Sequence, residues 1–529
     1  MKKLKELVGL IGLICFSLLL SAQSSKYDKS AKKIYRDAES FYIYGDFNTA
    51  IRLFRQIETA DPDFEEFNYK LGDAYFQLNR YDSSKSYLQK GIDYNSDAIF
   101  YLAKIELYNG NLSTSEDYLN HFLTKKNTKT TVISAVDIKL LNENIVTAKE
   151  LMSIPDVVNI INLGSKINSE NAEYVPLISS DETFLAFTSR RLREGNGLDP
   201  TGRPFEDVYT SQRESDREDW SEAKPIVGKI NTDQHDACVG LSPDGNRLFI
   251  YRSNENLIGG DLFESIYLDG IWTVPVKMSD NINGEFSIEP SASLSLDESV
   301  LYFSSNREGG FGGFDIYRVI KLPNGEWSLP KNLGPSINTE FDDDAPFIHP
   351  DGKMLYFSSK GHKNMGGYDV FRAQKINDEN EEWTKPINMG FPTNTTKDDI
   401  YFTISANEQH GYYASNKAGG FGKHDIYLID YLEKSLRQSV VRGKVKDATT
   451  KEEIAADISV IETESAELSG VYVAQGKDGK FIFLVNPNVE YEVIVEAEGF
   501  EEKSEFIKFS TNELKNTQSI DFELYPLEN

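Results

Sequence analysis

One phrase recurs five times between residues 173 and 427: an acidic residue, a turn, an aromatic strand, then Asp-hydrophobic-aromatic. The closing triplets are Asp207-Val208-Tyr209, Asp261-Leu262-Phe263, Asp315-Ile316-Tyr317, Asp369-Val370-Phe371 and Asp425-Ile426-Tyr427, spaced by 54, 54, 54 and 56 residues. Short strands and Gly-rich turns at such a period predict four-stranded sheets repeated around an axis, a β-propeller. Turns fall at Ser180-Asp181-Glu182, Pro243-Asp244-Gly245, Leu296-Asp297-Glu298, Pro350-Asp351-Gly352 and Ala406-Asn407-Glu408. Trp220, Trp272, Trp327 and Trp383 each lead into a proline that suits an outer edge strand. The fifth unit lacks this last strand, and Ile161-Asn162-Leu163-Gly164 matches Lys331-Asn332-Leu333-Gly334. A strand at 157–164 therefore predicts closure of a five-bladed ring over 155–433.

Eight residues before each turn Asp or Asn stands an acid: Glu173, Asp236, Glu289, Asp343 and Asp399, each preceded by Asn168, Asn231, Asn283, Asn338 or Asn394. Equivalent positions in a propeller form a ring near one channel mouth. Such a ring has the chemistry to hold Ca²⁺ or a cationic loop. The alternative, which repetition in every blade favours, is that each acid binds backbone amides or a basic residue of the neighbouring blade, such as Arg307 or Lys417. No other metal site or cofactor is expected. An insertion from Arg191 to Glu206 breaks the symmetry and is a place to seek a partner.

Ahead of the ring, residues 27–153 predict paired helices. Ala38, Phe41, Ala50, Phe54 and Ile57 fall on one face, Leu71, Gly72, Tyr75, Tyr81, Ser84 and Leu88 repeat it 34 residues later, and Ala103, Gly110, Ser115, Leu119 and Phe122 give a weaker third copy. Pro62 ends the second helix, and a helix over 131–151 covers the end of the stack. These residues resemble the tetratricopeptide repeat. That resemblance puts Tyr35, Glu39, Tyr42, Tyr69, Asp73, Phe76, Phe100 and Lys104 on a concave partner-binding side; the alternative is that they pack between repeats.

Composition excludes more than it identifies. The 529 residues carry a formal charge of -28, which argues against a nucleic-acid backbone as partner. Lys2, Lys3 and Lys5, the apolar run Leu7–Leu20 and Leu20-Ser21-Ala22 predict a signal peptide cleaved near Ala22. Only Cys238 then remains, so neither an intramolecular disulfide nor a cysteine-based metal site is expected. No nucleophile elbow, zinc-protease helix or phosphate loop is present, and the protein is expected not to be an enzyme. His235 beside Asp236 is the best acid–base pair.

Residues 438–526 alternate as short strands at 440–445, 457–460, 480–485, 491–495 and 520–524, and resemble the carboxypeptidase regulatory-like domain, an Ig- or transthyretin-like sandwich. The propeller units resemble WD-like repeats of the TolB type. In this order the parts are similar to PorE-type, OmpA-family envelope proteins of Bacteroidetes. That resemblance implies a periplasmic scaffold on the inner face of the outer membrane, associated with type IX secretion and gliding motility and binding secretion-machinery proteins. In that family an OmpA-like domain grips peptidoglycan; no residue here matches it, which puts peptidoglycan anchoring in doubt. A glycan- or peptide-binding propeller, with or without hydrolysis, and a secreted adhesin are the alternatives.

Overall fold

The computed structural model describes residues 29–527 apart from 62–63, 127–130, 201, 215–217, 256, 258, 269, 378–381, 418, 432–437, 475–478, 512 and 514–516. The expected signal peptide (1–22) and Pro62 lie outside the described residues. The chain divides into two compact units, 1–145 and 146–529.

The first unit is helical: α1 (Lys29–Ile43), α2 (Phe47–Ala60), α3 (Asn68–Gln77), α4 (Tyr81–Gly91), α5 (Asp97–Tyr108), α6 (Leu112–Lys125) and α7 (Ala135–Ser153), the last running on past the division. Asp46 starts α2 by accepting the Thr49 N–H at 3.0 Å, which satisfies one of the orphan donors of the first turn. Ala38, Ala50, Phe54 and Ile57 are fully buried, while Phe41 lies at the rim of that face, 40% exposed. Close helix approach explains the small residues. A Cβ on Gly72 would stand 2.7 Å from Leu88 Cγ and 2.9 Å from the Leu88 backbone nitrogen. There Ser84 Oγ donates to the Gly72 carbonyl at 2.7 Å, and Ser115 Oγ to Ala103 repeats the bond at 2.7 Å.

In the second unit, strands from 159 to 430 form five antiparallel sheets. The first holds β2 (Glu173–Ile178), β3 (Phe184–Ser189), β4 (Asp207–Gln212) and β5 (Lys224–Pro225). The second holds β6 (Asp236–Leu241), β7 (Arg247–Ser253) and β8 (Gly260–Leu268), with β9 (Ile271–Trp272) and β10 (Val276–Lys277) on β8. The third holds β11 (Ala292–Leu294), β12 (Val300–Ser305), β13 (Asp315–Ile320) and β14 (Lys331–Asn332). The fourth holds β15 (Asp343–Ile348), β16 (Met354–Ser359) and β17 (Asp369–Asn377), with β18 (Glu382–Trp383) and β19 (Ile387–Asn388) on β17. The fifth holds β20 (Asp399–Ile404), β21 (His410–Ser415) and β22 (Asp425–Asp430). The fourth strand of the last sheet is β1 (Asn159–Asn162), with Asn159 opposite Asp430 and Asn162 opposite Tyr427. The Leu163 N–H donates to the Ile426 carbonyl at 3.2 Å. The stretch is thus a β-propeller closed by its own N-terminal strand. A cavity of about 30 Å³, touching Leu177, Val239, Ala292, Phe347 and Phe402, is bounded by the first strands of all five sheets. It has room for about one water.

The aromatic of each triplet sits directly opposite a core residue of the preceding strand. Phe187–Tyr209, Phe303–Tyr317, Phe357–Phe371 and Tyr413–Tyr427 are such pairs, with ring centroids 6.2, 6.0, 6.0 and 6.0 Å apart. Cross-strand aromatic pairs of this kind hold register as well as burying area.

Residues 439–524 form two further four-stranded sheets around one apolar core that includes Val441, Ile458, Phe483, Val493 and Phe522. The strands Leu468–Ala474 and Lys503–Lys508 were not expected from sequence; their outward residues, among them Val471 and Phe506, are exposed, which blurs the alternation. Among the described residues no helix is long and apolar enough to cross a membrane.

Candidate functional site

Because each sheet is antiparallel, the loops after the second strand and the connectors into the next sheet emerge at one end of the ring. Here every repeat uses an asparagine as a clamp. Asn168, Asn231, Asn283, Asn338 and Asn394 accept the N–H of Ile426, Val208, Leu262, Ile316 and Val370 at 2.8, 2.7, 2.7, 2.7 and 2.8 Å. Each returns its Nδ2 to the carbonyl of that same residue at 2.8–3.0 Å. The side chain therefore imitates one more strand residue and satisfies both backbone groups where the sheet ends.

Five residues past each clamp, six in the case of Glu289, stands the expected acid, which closes the turn between them. Glu173 accepts Ser169 N and Oγ and Ser189 Oγ, each at 2.7 Å. Asp236 accepts Thr232 N and Oγ1 at 2.6 Å, Asp399 accepts Thr395 N and Oγ1 at 2.6 and 2.7 Å, Asp343 accepts Thr339 Oγ1 at 2.9 Å, and Glu289 accepts Ser287 and Ser305 Oγ at 2.6 and 2.7 Å. All five are fully buried. Each carboxylate is turned into its own loop rather than toward a common centre, which is the alternative to a Ca²⁺ ring. Among the described residues no group of three or more His, Cys, Asp or Glu is gathered as a metal requires.

The basic partners also come from the acid's own sheet, not from a neighbouring blade. Arg191 reaches Glu173 at 3.5 Å, Arg252 reaches Asp236 at 2.5 Å and Arg307 reaches Glu289 at 3.3 Å. Arg252 and Arg307 also donate to the Ile230 and Ile282 carbonyls at 2.6 Å. In the fourth sheet His362 takes that place, its Nε2 2.7 Å from the Ile337 carbonyl. Burial lowers the His362 pKa, so this histidine does not offset the burial of Asp343, which is pushed up to about 7. Burial likewise raises Asp399 to about 6, although Lys417 pulls the other way.

At the opposite end lie the turns between first and second strands. Glu182, Glu298 and Glu408 occupy the left-handed region there at φ 55°, 56° and 56°, where Gly245 and Gly352 stand in the other two sheets. A non-glycine residue in that region costs roughly 1 kcal/mol. Two of the carboxylates reach the preceding sheet: Glu182 accepts from Tyr412 at 2.7 Å and lies 2.9 Å from His410, and Glu298 pairs with Arg247 at 3.0 Å. The sheets of residues 439–524 cover this end. Val440, Leu484 and Ile482 pack on Leu296 and Ala406, and Arg442 pairs with Asp181. A cleft of about 580 Å³ beside that contact is lined by Phe184, Trp272, Arg442 and Lys480.

His235 and Asp236 do not act as a pair. Alternation along the strand sends Asp236 to Arg252, whereas His235 accepts the Glu206 N–H at 3.2 Å and packs on Phe205 at 4.9 Å. Glu206 also binds Arg190 at 2.6 Å and accepts from the Tyr174 hydroxyl. Burial would raise its pKa, but His235, Arg190 and Tyr174 hold it at about 2. The insertion is thus anchored at its end by a partly buried ionic network, and Asp199 N donates to the Arg203 carbonyl at 2.7 Å, while Leu192 and Leu198 stay exposed.

In the helical unit the eight groove residues separate. Tyr69, Asp73, Phe76 and Phe100 are buried between helices and are unavailable to a partner as they stand. Phe100 packs on Phe122, and Phe76 on Tyr101 and Tyr108. Tyr35, Glu39, Tyr42 and Lys104 remain half-buried. Glu39 pairs with Lys70, the Tyr42 hydroxyl donates to Asp73, and Lys104 lies 5.6 Å from the Phe76 ring. Burial raises the Asp73 pKa against hydrogen bonds from Tyr42, Gln77 and Tyr101. Lys70, Gln77 and Tyr101 were missed from sequence; their positions on the same turns of α3 and α5 as Asp73 and Lys104 are the signal that places them on this surface.

Residues 42–105 match the tetratricopeptide repeat family. No curated protein matches the chain. Among solved structures, an Agrobacterium tumefaciens protein assigned to TolB is similar over 62% of this chain and 97% of its own, at 15% identity and a TM-score of 0.30. The first tetratricopeptide domain of Spaghetti, bound to an HSP90 peptide, covers 22% of this chain and 93% of its own at 13% identity and TM-score 0.20. The catalytic domain of a Coprinopsis cinerea α-L-arabinofuranosidase covers 52% and 98% at 10% identity and TM-score 0.34. At these scores the likenesses carry no argument about activity. Residues 42–105 of this chain, by the family match and by their packing, form tetratricopeptide repeats.

Proposed function

We propose that the protein is a non-enzymatic periplasmic scaffold, in which tetratricopeptide helices and a five-bladed propeller hold protein partners and an Ig- or transthyretin-like sandwich braces the propeller. In this reading it works at the inner face of the outer membrane, in the manner of PorE-type proteins associated with type IX secretion and gliding. The observation that carries the proposal is the match of residues 42–105 to tetratricopeptide repeats, which generally mediate protein–protein contacts, in a chain that also builds a closed propeller. The use of the repeated acids as loop braces supports a platform over a reaction centre.

The test is photocrosslinking in native envelopes with benzoylphenylalanine at Tyr35 or Lys104, together with fractionation of the cells. Discrete adducts with envelope proteins and a periplasmic location are expected. Monomer alone at both positions, or a cytoplasmic location, overturns the reading.

A further inference from the structure

At the loop end of the propeller, three joined segments of the third sector carry two exposed phenylalanines and three exposed glutamates. Three segments meet there. The connector before β11 is tied to the next loop by Ile288 N donating to Asn306 Oδ1 at 2.7 Å. That loop, 306–314, is tied to the following connector by Gly313 N donating to the Phe341 carbonyl at 3.2 Å and Phe314 N to Asp342 Oδ1 at 3.2 Å. On this joined surface Phe286 is 93% exposed and Phe311 50%. Phe311 is not loose: its N–H donates to Asp315 at 2.6 Å and that of Gly312 to the same carboxylate at 3.2 Å. A large apolar side chain presented by a pinned backbone costs little ordering on binding, which is how aromatic anchors of interfaces behave.

Each of the three segments carries an exposed acid: Glu285, Glu308 and Glu340. The nearby cations are already engaged, Arg307 with Glu289 and the Ile282 carbonyl, and Lys360 with Asp342 at 2.8 Å. The opposite end of the ring is occupied by the sheets of residues 439–524.

Resting on the scaffold reading and sharpening it, we propose that the Phe286–Phe311 patch docks a basic segment of a protein partner that carries an aromatic or aliphatic anchor. The anchor packs on the exposed phenylalanine rings while its lysines or arginines pair with the glutamates of the same segments. A second copy of this chain is disfavoured, since a charge of -28 would meet its like.

The test pans a random twelve-residue peptide library on the full chain in about 50 mM salt. Peptides rich in Lys or Arg with an aromatic or aliphatic residue are expected. Their affinity should fall about tenfold or more in the surface variant Phe286→Ser/Phe311→Ser. It should also fall about tenfold between roughly 50 and 500 mM salt, and stay unchanged in Phe421→Ser, on another sector. No enrichment, acidic peptides, or peptides indifferent to the double variant overturn the proposal. So does a dimer in sedimentation velocity that the double variant abolishes. Envelope adducts on the helices with no peptide enrichment would sink this inference alone; basic-peptide binding without envelope adducts would sink the scaffold reading alone.

Discussion

Asn168 holds Ile426, 258 residues away, by both backbone groups: its Nδ2 donates to the Ile426 carbonyl at 3.0 Å and its Oδ1 accepts the Ile426 N–H at 2.8 Å. Four other asparagines make the same clamp within their own repeat, but this one joins the two ends of the ring. It lies just beyond β1, so clamp and strand pairing close the propeller together.

Replacing Asn168 by Ala should therefore cost about 2–4 kcal/mol, because two buried backbone groups lose their partners. Urea unfolding measures the loss. Hydrogen exchange should accelerate at Leu163 and across β1 and β22. Asn283→Ala should destabilise comparably yet leave exchange at β1 unchanged; equal effects of both variants on β1 would contradict a closure role.

Glu182 is strained and bonded at once. Glu182→Gly relieves roughly 1 kcal/mol of backbone strain but leaves buried Tyr412 and Arg213 without their carboxylate. Net destabilisation of about 1–3 kcal/mol is expected, read from thermal or urea midpoints. Glu298→Gly should be nearer neutral, since its partners Arg247 and Lys321 are more exposed than Tyr412. A stabilised Glu182→Gly would show that strain outweighs the bonds.

Stability should fall as pH rises through the weakly acidic range. Asp343 and Asp399 have folded pKa values raised by burial to about 7 and about 6, above the ordinary 3.8. The folded state therefore binds protons more tightly than the unfolded chain. The resulting stability is fully present below about pH 4 and is lost as pH climbs through the folded values. For Asp343 the whole span is on the order of 4 kcal/mol. Asp343→Asn should flatten the slope of urea midpoint against pH between about 4 and 8; an unchanged slope would remove Asp343 as its source.

Gly72→Ala should loosen only the helical unit. The added Cβ meets Leu88 backbone and side chain inside van der Waals distance, for an expected cost of about 1–3 kcal/mol. Limited proteolysis should nick the helices faster while the propeller stays intact.

The acids and asparagines of the repeat were legible as positions but not as roles. Their period of about 54 residues announces equivalence, and equivalence alone cannot say whether five carboxylates face inward or curl back. The chain itself answers locally, since Ser or Thr stands four residues before four of the acids and Ser287 two before Glu289. That hydroxyl captures the acid within its own turn, and the link between this pattern and the bond was missed. The groove residues failed differently. Helical spacing puts Tyr35, Asp73 and Phe76 on related faces, but how deep each sits depends on interhelix distance, which Gly72 and Ser84 set by their small size.

What the sequence alone determined was the repetition: strand, turn and aromatic periods, a strand displaced to the front of the series, and helix pairs with small residues at their crossings. These follow from local backbone preference and alternation, which any stretch expresses by itself. Only the tertiary structure decided what each polar side chain meets. That the fourth sheet sets a neutral histidine where three others set arginine and the fifth lysine, or that the segments bearing Phe286 and Phe311 are bonded to each other, depends on residues apart in the chain being brought within a few ångströms, and hydrogen bonding and burial energies act only at that range.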